Sequence, residues 1–128
     1  MNDIPRKPTD SELDILRVLW THGPATVRQV QEHLPPEPKR GYTTVLKLMQ
    51  IMTDKGLVSR DESSRAHIYH PTASAEQTQQ SLLGHLIDKA YSGSAGRLIM
   101  QALSTRPASA DDLAELRRFL DRMEDSRS

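Results

Sequence analysis

Apolar positions along the chain recur at helical spacing in six stretches, and between the third and fourth of these the pattern shortens to that of a strand pair. Thr9-x-x-Glu12 is a capping box that opens a helix, with Leu13, Leu16, Leu19 and Trp20 on one face and Gly23-Pro24 as its stop. Thr26-x-x-Gln29 opens a second, of about two turns, with Val27, Val30 and Leu34 inward, and the Pro35-Pro36-Glu37-Pro38 run ends it. A third runs from about Gly41 to Lys55, burying Val45, Leu48, Met49 and Met52, and Gly56 stands where a left-handed cap is expected. Leu57-Val58-Ser59-Arg60 and Ala66-His67-Ile68-Tyr69-His70, joined by polar Asp61 to Arg65 and ended by Pro71, predict a hairpin.

Three more helices are expected beyond it. Ser74-x-x-Gln77 caps one that reaches about Tyr91 and carries Leu82, Leu83, Leu86 and Ile87. Ser92-Gly93-Ser94 breaks it, Leu98, Ile99, Ala102 and Leu103 mark the next, and Pro107 separates that from a last helix over about Ala110 to Asp125 with Leu113, Leu116, Phe119, Leu120 and Met123 as its stripe.

Three helices followed by a two-stranded ribbon is the order of a winged helix-turn-helix, whose third helix lies in the major groove while the ribbon reaches the backbone or minor groove. The expected fold is therefore mainly α. A winged-helix DNA-binding domain occupies residues 1–73 with a small two-stranded β wing, and a helical dimerisation domain occupies residues 74–128. The later helices show no obvious core of their own. A symmetric dimer would bury their stripes in both copies, with Leu82, Leu86, Leu98, Leu113, Leu116 and Leu120 at the contact, and would set two reading helices about one DNA turn apart.

Composition narrows the function. The 128 residues lack cysteine, which removes disulfides, thiolate zinc sites and cysteine nucleophiles. No stretch approaches the roughly 18 apolar residues of a membrane span. The leading segment Met1 to Lys7 lacks the apolar core of a signal peptide, so a cytoplasmic protein without membrane insertion is expected. No metal site or cofactor is expected: His67 and His70 point to opposite faces of a strand, and His22, His33 and His85 are scattered. No glycine-rich phosphate loop or activated nucleophile appears, so an enzyme is not expected either.

Charge is silent on nucleic acid. The 17 basic and 17 acidic residues cancel, but a DNA reader needs only a local basic face. Tyr42, Thr43, Thr44 and Lys47 cluster at the start of the third helix, with Gln50 on or near the same side; hydroxyls and an ammonium there suit base edges or phosphates. Thr43 and Lys47 are the first candidates for base contact, and Thr44 is alternatively a buried cap. Arg28 opens the second helix, Lys39 and Arg40 precede the third, and with Lys47 and Lys55 they are expected to form the basic face. Arg65 belongs to the wing tip. A winged-helix module for protein–protein assembly remains the alternative that neutral charge permits.

The run Gly41-Tyr42-Thr43-Thr44-Val45-Leu46-Lys47-Leu48-Met49, with Lys55-Gly56-Leu57-Val58, the wing Arg65 to Pro71 and the early Glu12-Leu13-Asp14-Ile15-Leu16 with Trp20, resembles the penicillinase-repressor family (BlaI/MecI/CopY). The resemblance spans about Thr9 to Met123. It implies a homodimeric repressor on palindromic double-stranded DNA, commonly an inverted repeat with a TACA/TGTA core, released when an upstream signal inactivates it. In the resistance members a membrane sensor triggers proteolysis between an Asn and a Phe. By the resemblance, the step that would correspond to this inactivating cleavage is Gln101-Ala102, where both side chains differ. The cysteine hook of copper-responsive members is absent.

Overall fold

The computed structural model describes residues 7–127, so most of the leading segment considered above lies outside the described residues. The elements follow in the order α1 (Asp10–His22), α2 (Val27–His33), α3 (Tyr42–Lys55), β1 (Val58–Asp61), β2 (Ile68–Pro71), α4 (Ala75–Ala90), α5 (Ala95–Thr105) and α6 (Ala110–Arg127). Their contacts divide them into two compact units, one ending at Leu83 and one beginning at Gly84.

The first unit is built from strong local signals. All three capping boxes form: Thr9 and Glu12 exchange bonds at the start of α1, Thr26 and Gln29 at the start of α2, and Ser74 and Gln77 at the start of α4. Each satisfies two backbone donors that a helix start leaves open. Gly23 (φ 92°) ends α1 and Gly56 (φ 83°) ends α3, both in the region that costs a side-chain-bearing residue dearly.

The core joins Ile15, Leu16, Val18 and Leu19 of α1, Val27 and Val30 of α2, and Val45, Met49 and Met52 of α3 to Ala25, Leu57, Val58 and Tyr69. Leu48 is only partly buried at its margin. α1 packs on α2, α3 and β2, so the wing is rooted in the helical core and not merely appended to it. Trp20 is partly buried at the core edge, with Nε1 donating to Ala73 O at 3.0 Å.

The ribbon differs from its expected limits. β1 and β2 pair antiparallel in the register Val58↔Pro71, Ser59↔His70, Arg60↔Tyr69, Asp61↔Ile68, which draws Asp61 and Pro71 into the strands and leaves residues 62–67 as the connecting loop. Pro71 is tolerated because it sits at a strand end, where a missing backbone donor costs little. Tyr69 also bridges outward, exchanging backbone bonds with Ala25 (2.9 and 3.2 Å).

The second unit comprises the last part of α4 with α5 and α6. The break between α4 and α5 is a tight turn with Ser92 (φ 50°) and Gly93 (φ 82°) in the left-handed region, and Ser94 caps α5 by accepting from the Arg97 amide. No residue of α4, α5 or α6 is buried. Leu86, Ile99, Met100, Phe119, Leu120 and Met123 are each 45–72% exposed. Among the described residues no helix is long and apolar enough to cross a membrane.

Candidate nucleic-acid interface

α3 divides cleanly along its length. Val45, Met49 and Met52 are buried, while Thr43, Thr44, Lys47 and Gln50 are exposed on the other side and Tyr42 is exposed at the helix start. Thr44 is therefore not the buried cap that was one of its two expected roles. The N-cap is Gly41, which offers no side-chain oxygen, and the first turn carries no acidic residue. The leading amides of α3 are thus unmatched by protein groups and lie at the positive end of the helix dipole, a setting that favours an anion.

Arg28, near the start of α2, reaches this helix start directly. Its guanidinium carbon lies 5.4 Å from the centre of the Tyr42 ring, so two of the expected contact residues touch each other across elements. Both remain exposed, as does Lys39. Ile51, 38% exposed and one turn beyond Lys47, adds an apolar patch that the sequence pattern had not singled out.

Arg40 and Lys55, grouped by sequence with the exposed cations, do not stand with them. Arg40 donates from Nη1 to Asp14 Oδ2 (3.0 Å) and from Nε to Pro38 O (3.2 Å), and its side chain is only 7% exposed. Lys55 Nζ donates to Glu12 Oε1 at 2.7 Å, and Glu12 itself is buried. Each cation turns inward because a carboxylate on α1 lies under it, a match that separations of 26 and 43 residues hide from any local pattern. The two pairs fasten the approach to α3 and its last residue to the same helix.

Burial of the Glu12 carboxyl acts to raise its pKa. The bonds from Lys55 and from the Thr9 amide, with the Lys55 charge, outweigh that and hold it below the ordinary carboxylate value of 4.5. Glu12 was legible as a cap; its second partner was not.

The wing loop is locally organised. Asp61 Oδ1 accepts from the Ser63 amide at 2.9 Å, Ser64 Oγ donates to Ala66 O at 2.9 Å, and Arg60 pairs with Glu62 at 2.7 Å. The Ser63 bonds hold the Asp61 carboxyl below its usual range. Arg65 is exposed in this loop, with no bond to another described residue.

Of the leucines expected at a dimer contact, Leu82 at the end of the first unit and Leu98 and Leu116 of the second are half-buried, while Leu86, Leu113 and Leu120 of the second are exposed. Gln101 and Ala102 lie inside α5, both exposed. They line a hollow between α5 and α6 together with Tyr91, Leu116 and Phe119.

A helical trio with an exposed polar third helix and a core-rooted two-stranded wing defines a winged helix-turn-helix protein. The chain belongs to the penicillinase repressor family, whose sequence model matches residues 8–122. The transcriptional regulator BlaI of Mycobacterium tuberculosis is 30% identical over 116 residues, covering 90% of this chain and 83% of that protein. The penicillinase repressor of Bacillus licheniformis is 20% identical over 121 residues, covering 94% of each. The solution structure of the DNA binding domain of the repressor BlaI matches with a TM-score of 0.49 at 23% identity, over 59% of this chain and 90% of that one.

Proposed function

We propose that this protein is a cytoplasmic transcriptional repressor that binds an inverted-repeat operator in double-stranded DNA as a homodimer. The observation that carries this is the exposed Thr43, Thr44, Lys47 and Gln50 face of α3, set beside an uncapped helix start with Arg28 and Tyr42 at its edge. Thr43 and Lys47 meet base edges, Thr44 and Gln50 lie along the same groove wall, and the α3 amides with Arg28 and Lys39 engage phosphate. Ile51 supplies an apolar surface of the kind that packs on a thymine methyl. Arg65 extends the contact from the wing.

Residues 1–73 serve as the reader and residues 74–128 as the dimeriser. The absence of any buried residue in α4, α5 and α6 supports this, because three helices with large exposed apolar side chains gain a core by pairing with a second copy. Leu82, Leu86, Leu98, Leu113, Leu116 and Leu120 form that contact. Release follows an upstream signal carried by a sensor or protease, as the family resemblance implies. Cleavage at Gln101-Ala102 requires α5 to unwind locally, since a helical bond does not fit an extended protease cleft.

The experiment is a selection of random duplex DNA on the purified protein, followed by titration of the enriched sequence at two salt concentrations. A palindrome bound by two copies, preferred over random DNA by at least about a thousandfold, is the expected result. Equal binding to all sequences, or no enrichment, refutes the repressor function and favours a protein-assembly role for the same fold.

A further inference from the structure

Two imidazoles meet at a place that the DNA-binding function does not use. His22 lies in the last turn of α1 and His33 in the last turn of α2, and their ring centres are 3.9 Å apart with the planes inclined at 49°. Both residues are exposed. Asp14, Arg17, Val18, Thr21 and Pro35 complete the walls of the open hollow that holds them.

The protonation of one ring is fixed by its partner. His33 Nδ1 lies 3.0 Å from Gln29 O. A carbonyl only accepts, so the proton of the neutral ring sits on Nδ1 and the lone pair on Nε2. A histidine held by a backbone carbonyl in this way is set up as metal-binding histidines are, with the far nitrogen basic and aimed by the near one.

We propose that His22 and His33 together bind a divalent transition-metal ion, with one nitrogen from each ring and water in the remaining positions. Imidazole pairs suit copper, nickel and zinc, and the first-row order places copper(II) as the tightest. The site takes two protein ligands and no more: among the described residues no group of three His, Cys, Asp or Glu side chains stands close enough to hold a metal. Asp14 contributes negative field from the wall, but its Oδ2 is tied to Arg40, and Arg17 opposes it.

Binding is therefore readily exchanged. The two rings lie against each other. A turn of the exposed His22 ring brings its nitrogen to the ion that His33 Nε2 holds, at the usual metal–nitrogen distance of about 2.0–2.1 Å.

The ion joins the ends of α1 and α2 directly, and the same hollow includes the carboxylate that holds Arg40 at the approach to α3. Because the folded chain holds the two rings side by side, binding favours the folded form and raises thermal stability. This inference does not rest on the DNA-binding function, and the two fail separately.

The test uses the full chain stripped with chelator and titrated with nickel(II) and, separately, zinc(II) by calorimetry. One ion per chain is expected. His22→Gln and His33→Gln should each remove the uptake, whereas the triple variant His67→Gln/His70→Gln/His85→Gln should retain it. Uptake of neither ion, or uptake that survives both single substitutions, overturns the proposal.

Imidazole C–H resonances of the unaltered chain provide a second measurement that needs no variant. Those of His22 and His33 should broaden first as nickel(II) is added. Prior broadening of His67, His70 or His85 overturns the site.

Discussion

Lys55 Nζ lies 2.7 Å from Glu12 Oε1, joining the last residue of α3 to the first turn of α1 through a carboxylate that is almost wholly buried. The same oxygen accepts the Thr9 amide at 2.9 Å, so one side chain both caps α1 and anchors α3. Removing the cation leaves the carboxylate buried with its helix-cap bond alone. Lys55→Met should therefore lower unfolding free energy by about 2–3 kcal/mol, less than for a fully enclosed pair because Lys55 keeps some contact with water. Urea unfolding at neutral pH measures this.

Acid should act on the same group. Because the folded protein holds the Glu12 carboxyl below 4.5, the unfolded chain binds its proton first as pH falls. The stability from this group is complete above the ordinary carboxylate range and is lost as pH descends through the lowered folded value. Unfolding midpoints should decline over that interval in the parent protein, and Glu12→Gln should flatten the decline. An equally steep fall in the variant assigns acid sensitivity to other carboxylates.

Base contact and phosphate contact should separate by their salt dependence. Thr43→Ala and Lys47→Ala should each cost about 1–3 kcal/mol of affinity for the selected DNA while leaving thermal stability unchanged, because both side chains are solvent-facing. Arg65→Ala should weaken binding to all sequences alike and reduce the salt slope by about one. Titrations across a salt series distinguish the two patterns.

The Arg28–Tyr42 contact predicts coupling. An exposed cation over an aromatic face contributes about 0.5–1 kcal/mol, so Arg28→Ala and Tyr42→Ala should cost less together than the sum of their separate costs in DNA affinity. A double-mutant cycle reads the difference, and strict additivity shows that the stacked pair does not act as one unit.

If α4, α5 and α6 pair two copies as proposed, Leu116→Asp and Leu120→Asp should each give a monomer in sedimentation, since either places a charge in the proposed apolar contact. Operator affinity should fall with it, because a single half-site supplies too little. Circular dichroism should retain the signal of the first unit, whose core contains neither residue.

What could be foreseen follows from range. Helix limits, the three capping boxes and the Gly56 turn were legible because their partners lie within four residues. So was the exposed face of α3, since its apolar half has a clear period. Arg40 and Lys55 were misplaced for the opposite reason: a cation beside a helix end looks solvent-facing until the fold brings Asp14 or Glu12 beneath it.

Tyr69 escaped in a similar way. A lone tyrosine between Ile68 and His70 in a short polar hairpin carries no sign of burial, yet at 1% exposure it is the largest enclosed side chain of the first unit. Ile51 gave no signal in the sequence because an aliphatic residue on an otherwise polar helix face matches no pattern for base or phosphate contact.

The bridge between Ala25 and Tyr69 has a further effect on how copies of this chain meet. Tyr69 turns both its backbone N–H and C=O toward Ala25, while its neighbours in β2 face β1, so β2 is hydrogen-bonded along both sides at its centre. That leaves the outer side of β1 as the ribbon's open edge, and this four-residue strand carries Arg60 and Asp61. A short, charged edge gives a foreign strand little to add to. Crowding of chains at high concentration should accordingly not proceed by ribbon-to-ribbon extension, and the wing stays available for other contacts.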